Sequence, residues 1–174
     1  MRPNPCAKAA AALAALALGA FAPMTPPSAT AAEDAATTIT VLGLTDLHGR
    51  IERTTDPATG TVVDPGAVTL ACEVARAREL SPAALLVSSG DNIGDSAAAS
   101  APPGDRPALD VLNAMGVDAS ALGGHELDRG PEDLSGRILP AAAFPYLAAN
   151  LADPALDAEG DGGALIKDVD GVRV

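Results

Sequence analysis

The chain has 174 residues and a formal net charge of −12, because 23 acidic side chains face only 11 basic ones. Its length suits one modest domain with its own core and is too short for two. A chain this acidic repels nucleic acid backbones, and with one Tyr, two Phe and no Trp it also lacks platforms for base stacking. We therefore expect no nucleic acid partner.

Residues 1–31 have the order of an export signal. Arg2 and Lys8 precede an apolar run at 9–22, and helix-breaking prolines and a small-residue triplet at 29–31 follow it. The apolar run is shorter than the roughly 20 residues that a bilayer core requires, so we predict cleavage rather than a stable membrane anchor. The protein is therefore expected to be secreted, and to work outside the cell or in the cell envelope.

After a short lead-in at residues 32–37, residues 38–174 show alternating strand-like and helix-like stretches. In chain order, the apolar and turn patterns predict a strand at 39–44, a loop at 54–66, a helix at 67–80, a strand at 84–88, a helix at 107–115, a strand at 118–122, a helical turn at 131–139, a strand at 145–149, and a last strand at 164–169 that enters a hairpin turn. Such alternation is typical of a layered α/β domain, in which ligands gather beyond the carboxyl ends of the strands.

Two details of packing follow from these patterns. The strand at 39–44 is apolar at both alternating positions, which predicts burial on both of its faces. Cys72 would be the only cysteine left after loss of the signal, so no intrachain disulfide is possible. Because the residues around it are rich in alanine and valine, we predict a packed core thiol rather than a reactive one.

Three of the predicted strands run into turns that carry metal-ligand side chains. Asp46 and His48 follow the first strand, Asp91 follows the second, and His125 and Asp128 follow the third. Asp46 and His48 are two residues apart, so on a strand edge both side chains would point to one face and hold one ion. A carboxylate such as that of Asp91, at the end of a buried strand, can bridge two cations through its two oxygens.

The third segment adds a candidate acid. His125 and Asp128 are three residues apart, close enough on a helical turn for the carboxylate to orient the imidazole. Such a pair suits a general acid that delivers a proton to a leaving oxygen. Each segment also has an ordinary explanation as a strand-end turn, a turn aspartate or the acidic first turn of a helix. Their occurrence together, in this order, favours metal ligation.

On these residues the chain resembles a known family. The segments 39–52, 85–96, 121–130 and 144–151 are similar to successive motifs of the calcineurin-like metallophosphoesterases, specifically the secreted 5′-nucleotidase and UDP-sugar hydrolase branch. The resemblance covers essentially all of residues 38–174. It implies an α/β fold, the layered α-β-β-α sandwich of that family, of which this chain would hold the incomplete, N-terminal part of the catalytic domain. Family members add a separate C-terminal nucleotide-binding domain.

The resemblance implies a role for each candidate residue. Asp46 and His48 would hold the first metal, and Asp91 would bridge both metals. His125 would be the catalytic imidazole near the leaving oxygen, with Asp128 orienting it. The implied reaction is hydrolysis of the phosphate ester of a nucleotide, with two divalent ions acting on the phosphate. Imidazole and carboxylate ligands suit Zn, Mn, Fe or Co and do not choose among them.

The chain departs from the family pattern in two respects. The family motif is Gly-Asn-His-Glu, whose Asn binds the second metal, but here Gly124 precedes His125. The remaining histidine ligands of the family lie further downstream than residue 174. We therefore expect an incomplete second metal site, and a fragment or shortened gene product with impaired activity.

Two other functions stay open from these patterns. One is a non-catalytic, acidic extracellular binding module that retains half of the fold. The other is a related phosphoesterase that acts on diesters or sugar nucleotides. The patterns do not determine the exact substrate, the metal or the oligomeric state.

Overall fold

The computed structural model describes residues 36–151 and 163–174, so the predicted export signal at 1–31 and most of the lead-in at 32–37 lie outside the described residues. The elements, in chain order, are β1 (Thr40–Leu44), β2 (Thr54–Thr55), β3 (Val62–Asp64), α1 (Gly66–Leu80), β4 (Ala84–Ser88), α2 (Arg106–Met115), β5 (Ala119–Ala121), a 3₁₀ turn (His125–Leu127), α3 (Pro131–Asp133), a π-helical turn (Leu134–Ile138), α4 (Leu139–Ala141), β6 (Tyr146–Leu147), β7 (Asp168–Val169) and β8 (Val172–Arg173).

The central sheet has four strands in the order β1-β4-β5-β6, and every neighbouring pair is parallel. Parallel neighbours need a crossover, and α1 supplies it between β1 and β4, whereas α2 supplies it between β4 and β5. This arrangement confirms the predicted α/β class and is consistent with an incomplete fold of that class. Because all four strands run the same way, their carboxyl ends lie along one edge of the sheet.

The core lies against one face of this sheet. Leu86, in the middle of β4, is completely buried and clusters with Val74 of α1 and with Leu109 and Leu112 of α2. The buried side chains of α2 recur at helical spacing, so one stripe of that helix faces the sheet. Leu42 of β1 lies beside Leu86 in the strand register and packs against the same cluster.

The prediction that the first strand is buried on both faces is wrong. Half-buried and exposed residues alternate along β1, and Val41 is 58% exposed. The reason is that only the Leu42 and Leu44 face of β1 packs against the core cluster, and the Val41 face is left exposed. Although β1 is apolar at alternating positions on both faces, one of its faces is therefore exposed within the part of the chain that the structure describes.

The predicted strands and helices are present, but one connection and the length of one strand differ from expectation. Part of the predicted loop at 54–66 forms the antiparallel β2–β3 hairpin. The last predicted strand is shorter than expected, and it pairs with β8 in the predicted hairpin. Backbone hydrogen bonds from Lys167 N–H to the Val174 carbonyl (3.0 Å), and from Val174 N–H to the Lys167 carbonyl (2.9 Å), extend that pairing. No helix in the described ranges is long and apolar enough to cross a membrane.

The prediction that Cys72 is buried is also wrong, because Cys72 is an exposed residue of α1. The buried positions of this helix are Gly66, Ala67 and Val74, and Ala71 is partly buried against the core. Cys72 follows Ala71 by one residue, which turns its side chain about 100° around the helix axis, away from that stripe. The alanine-rich surroundings therefore do not place the thiol in the core.

Replacement of Leu86 by alanine should lower the free energy of unfolding of the full chain by about 2–5 kcal/mol, because the side chain is fully buried and the cavity cannot collapse completely. Val41→Ala, in the neighbouring strand, is the matched control, and its exposed side chain should change stability by no more than about 0.5 kcal/mol. Urea denaturation measures both. Equal losses of unfolding free energy in the two variants would contradict a core that lies against only one face of the sheet.

Candidate metal centre

The segments predicted to carry ligands all follow strands of the central sheet. The pairing of β1 with β4 continues past the last strand residues: the Asp46 N–H donates to the Gly90 carbonyl (3.2 Å) and the His48 N–H to the Asp91 carbonyl (3.1 Å). The first two segments are therefore joined through their backbones. The third segment, which carries His125, leaves β5 at the same edge of the sheet.

Three of the predicted ligands have a left-handed backbone conformation. The φ angle is 53° at Asp46, 44° at His48 and 51° at Asp91. Residues other than glycine seldom adopt positive φ, and such residues cluster at functional sites. This finding corrects the expected geometry of the first segment, because β1 ends before Asp46 and strand alternation cannot orient the two side chains. A tight turn brings them together instead.

A compact group of possible metal ligands contains His48, Asp91 and His125, which we call the donor trio. One ligand atom from each residue lies within 4.8 Å of the others. The two imidazole rings meet edge to face, with 4.9 Å between their centroids and an angle of 78° between their planes. The trio thus combines one residue from each of the segments that leave the three neighbouring strands.

The ring of His48 is held in a defined orientation. Its Nδ1 atom lies 2.8 Å from the carbonyl oxygen of Gly94, which fits an Nδ1–H donor and leaves the lone pair of Nε2 free to bind a metal ion. Gly94 has a φ of 75°, and a Cβ at this position would lie within 3.0 Å of the His125 carbonyl oxygen and of Asp128 Oδ2. Glycine here lets the backbone pass close to both histidines.

Asp46 lies beside the donor trio rather than inside it. Its Oδ1 atom is 3.7 Å from His48 Nε2, and its side chain is exposed. The other carboxylate oxygen accepts a hydrogen bond from the Thr45 hydroxyl. The structure therefore places this predicted ligand next to Nε2 of His48, but not in the compact group.

His125 and Asp128 are paired as their spacing suggests. The distance between His125 Nδ1 and Asp128 Oδ2 is 3.0 Å, across a 3₁₀ turn. This hydrogen bond is the main reason that the pKa of His125 is raised, and the negative charges of Asp128, Asp91 and Asp95 act in the same direction. The same bond lowers the pKa of Asp128. With Nδ1 engaged, Nε2 of His125 is the nitrogen left for a ligand or a proton transfer.

Sequence reasoning gave no role to Glu126, which is 2% exposed. Its Oε2 accepts the backbone N–H groups of Asp91 (3.0 Å) and Gly123 (2.8 Å), and its Oε1 accepts that of Asn92 (2.8 Å). Burial raises the pKa of Glu126, and these backbone donors oppose that effect. The only signal in the sequence was its place in the Gly-Asn-His-Glu motif, which says nothing about its partners.

A buried polar network beneath the site was also not predicted. Ser88 donates to the amide oxygen of Asn92 (2.7 Å), and the amide nitrogen of Asn92 donates to the Ser120 hydroxyl (2.9 Å). All three residues are buried, and they connect the ends of β4 and β5. Because these polar atoms satisfy one another, the network fixes the relative positions of the two loops.

The two glycines before His125 differ in their surroundings. A Cβ on Gly123 would lie within 3.0 Å of the Asp91 backbone nitrogen and of carboxylate oxygens of Asp91 and Glu126. A Cβ on Gly124 would meet no atom within 4 Å, and φ there is −65°. Close approach therefore requires glycine at 123, whereas nothing in the described residues requires it at 124. The space beside Gly124 is therefore open to a Cβ atom.

The donor trio has the chemistry of a divalent metal site. Two imidazoles and a carboxylate suit Zn, Mn, Fe or Co. The second nitrogen of each imidazole is hydrogen-bonded, as is usual for histidines that bind metals. The residues present therefore fit a divalent ion.

Comparison with solved structures defines the class of this fold. The NAD nucleotidase of Haemophilus influenzae superposes with a TM-score of 0.63 and 24% identity, over 78% of this chain and 25% of that one. The calcineurin-like phosphoesterase YfkN of Bacillus subtilis superposes with a TM-score of 0.56 and 25% identity, over 78% of this chain and 45% of that one. The described residues thus have the fold of the calcineurin-like phosphoesterases.

Curated relatives narrow this class to one branch. The 5′-nucleotidase of Bos taurus is 35% identical over 85% of this chain and 25% of its own length. The cell wall protein Lmo0130 of Listeria monocytogenes is 32% identical over 93% of this chain and 24% of its own length. No protein-family model matches. The chain corresponds to the N-terminal part of a 5′-nucleotidase-type metallophosphoesterase domain and spans about a quarter of the length of these relatives.

Alanine at the two glycines should have opposite effects on stability. Gly123→Ala forces a methyl group against Asp91 and Glu126 and should lower the free energy of unfolding by about 1–3 kcal/mol. Gly124→Ala fits an allowed conformation in open space and should raise it by about 0.4–1 kcal/mol. Urea denaturation of both variants measures the difference. Equal effects of the two substitutions would contradict the close approach at Gly123.

Removal of the Asp128 charge should lower the pKa of His125 in the metal-free chain. The hydrogen bond with Asp128 stabilises the protonated imidazole, so Asp128→Asn should shift the titration of His125 to lower pH. NMR titration of the His125 ring protons gives the pKa directly. Glu79→Gln removes an exposed carboxylate of α1 and serves as the control. An unchanged His125 pKa in Asp128→Asn would show that the pair is not formed in solution.

Proposed function

We propose that this chain is the N-terminal part of the catalytic domain of an exported, metal-dependent phosphoesterase of the 5′-nucleotidase type. One observation carries the proposal: side chains from three strand ends meet in the donor trio. The similarity to the bovine 5′-nucleotidase and to a calcineurin-like phosphoesterase supports the same reaction class. The substrate that we propose is the phosphate ester of a nucleotide, bound as a small molecule.

Asp46, His48 and Asp91 are the residues that we propose to hold the first divalent ion. When bound, such an ion acts as a Lewis acid on a phosphoryl oxygen and lowers the pKa of a water molecule. His48 contributes an oriented imidazole, because the Gly94 carbonyl engages its other nitrogen. The proximity of Asp46 to His48 Nε2 supports its inclusion, although Asp46 lies outside the donor trio.

The role that we propose for His125 is to donate a proton to the leaving oxygen, with Asp128 as its partner. The Asp128 carboxylate holds Nδ1, so Nε2 is the atom that transfers the proton. The raised pKa of His125 increases the fraction of protonated imidazole near neutral pH, which a general acid requires.

We propose that a second ion binds more weakly than the first. Gly124 has no side-chain oxygen, so the position where the family carries an Asn ligand contributes no donor. The chain contains two histidines, and both already belong to the donor trio. Loss of a residue that orients a metal ligand lowers metal affinity by roughly 10–100-fold. Loss of a residue that binds the metal directly should lower the affinity further.

Export is the localisation that we propose. The order of charged, apolar and small residues in 1–31 supports it, and one of the relatives is a cell wall protein. The net charge of −12 supports a small-molecule substrate rather than a nucleic acid.

A metal titration tests the proposed site. The full chain should bind one Mn²⁺ or Zn²⁺ ion tightly, as measured by calorimetry, because its described residues supply one set of three ligands for the first ion, Asp46, His48 and Asp91. His48→Ala and Asp91→Asn should each abolish tight binding, since either removes one of the three donors. Asp110→Asn, at an exposed carboxylate of α2, is the control and should bind like the wild type. Two tight ions per chain would contradict the incomplete second site.

The alternative function is a non-catalytic acidic binding module, and the glycine at position 124 favours it. An activity assay on the same proteins distinguishes this module from a phosphoesterase. We expect the chain to release phosphate from a nucleoside monophosphate slowly and only with added metal. Gly124→Asn alone should not restore fast turnover, because one amide does not replace the imidazoles that a second ion needs. Tight metal binding without any release of phosphate would support the binding module instead.

A further inference from the structure

We propose that Glu126 is a positioning residue, whose buried carboxylate sets the spacing of the metal ligands by joining the loop of Asp91 to the turn of His125. This inference rests on the proposed metal-dependent function. It concerns a side chain that contacts no reacting group and that the mechanism above does not use.

The first step is the pattern of hydrogen bonds that Glu126 accepts. Its two oxygens accept three backbone N–H groups, those of Asp91 and Asn92 from one loop and that of Gly123 from the other. The side chain is 2% exposed, and no Lys or Arg in the described residues forms an ion pair with it. A carboxylate held in this way serves as a bridge between two backbone segments.

The second step is that the two segments are bonded in both directions. Glu126 accepts the N–H of Asp91, and Asp91 in turn accepts the backbone N–H of His125 through Oδ1 (2.9 Å). Asp91 Oδ2 has no hydrogen bond among those of the described residues, so this oxygen is available to an ion. The same bonds that hold the loops together thus also orient the Asp91 carboxylate.

The third step is that only a carboxylate matches this set of donors. Glutamine has nearly the same shape, but it replaces one acceptor oxygen with an NH₂ group, which would face a backbone N–H. At least one backbone donor would then lose its partner inside a buried site. Aspartate is one methylene shorter and would withdraw both oxygens from the loops.

Glu126→Gln in the full chain is the main test, and Co²⁺ is the probe because its visible absorption reports ligand geometry. We expect the Co²⁺ affinity to fall by about 10–100-fold, as for other partners that orient metal ligands, and the absorption spectrum of the bound ion to change. Glu132→Gln removes an exposed carboxylate from the neighbouring α3 and should leave both unchanged. A merely structural role would reduce the folded fraction but leave the affinity and spectrum of the folded protein as in wild type.

A second measurement does not require the variant to fold. In the metal-free wild type, the backbone N–H groups of Asp91, Asn92 and Gly123 should be protected from hydrogen exchange, because Glu126 already engages them. Rapid exchange of these amides would overturn the inference. So would a Glu126→Gln protein that is folded and binds Co²⁺ with the affinity and spectrum of wild type.

The controls separate this inference from the proposed function. If wild type binds Co²⁺, His48→Ala loses the ion and Glu126→Gln retains it, then the positioning role is wrong and the metal site stands. If wild type binds no Co²⁺, the metal-dependent function itself is wrong, and the inference that rests on it is wrong with it.

Discussion

Parallel strand pairing is the constraint on which the rest of this structure depends. It places the ends of β1, β4 and β5 at one edge of the sheet, and its backbone bonds continue into the loops past His48 and Asp91, as far as Gly49 and Asn92. Residues that are 34 or more positions apart in the chain, such as Asp91 and His125, therefore contact one another. Without that common direction the donor trio could not form, whatever the residues in its loops.

Much of the fold was predictable, because the helices and buried strands have clear periodicity and clear boundaries. The sequence also indicated that Asp46, His48, Asp91 and His125 follow strand ends. What periodicity could not supply was the conformation of the loops themselves. Asp46 and His48 were expected on a strand edge, but their positive φ angles place them in a tight turn, where the rule of alternating side chains does not apply.

The other differences arise from tertiary contacts, which local patterns do not record. Apolarity in β1 does not show whether another element covers each face of the strand, so Val41 was expected to be buried. Cys72 and Ala71 are both small and apolar, and only the position of the neighbouring elements decides which of them faces the core. Glu126 looks like an ordinary acidic residue in a first turn, because its partners are backbone groups of a loop distant in sequence.

The energetics of the site favour a geometry that exists before any ion binds. Left-handed φ angles at Asp46, His48 and Asp91 cost on the order of 1–3 kcal/mol each, towards the lower end for the aspartates. Hydrogen bonds to charged groups contribute about 1.5–3 kcal/mol each, and the carboxylates of Glu126 and Asp91 accept four of them from backbone N–H groups. The two effects are of the same order, so these bonds oppose the strain, while the burial of Glu126 acts against their contribution. Metal affinity should then depend on residues that never touch the metal.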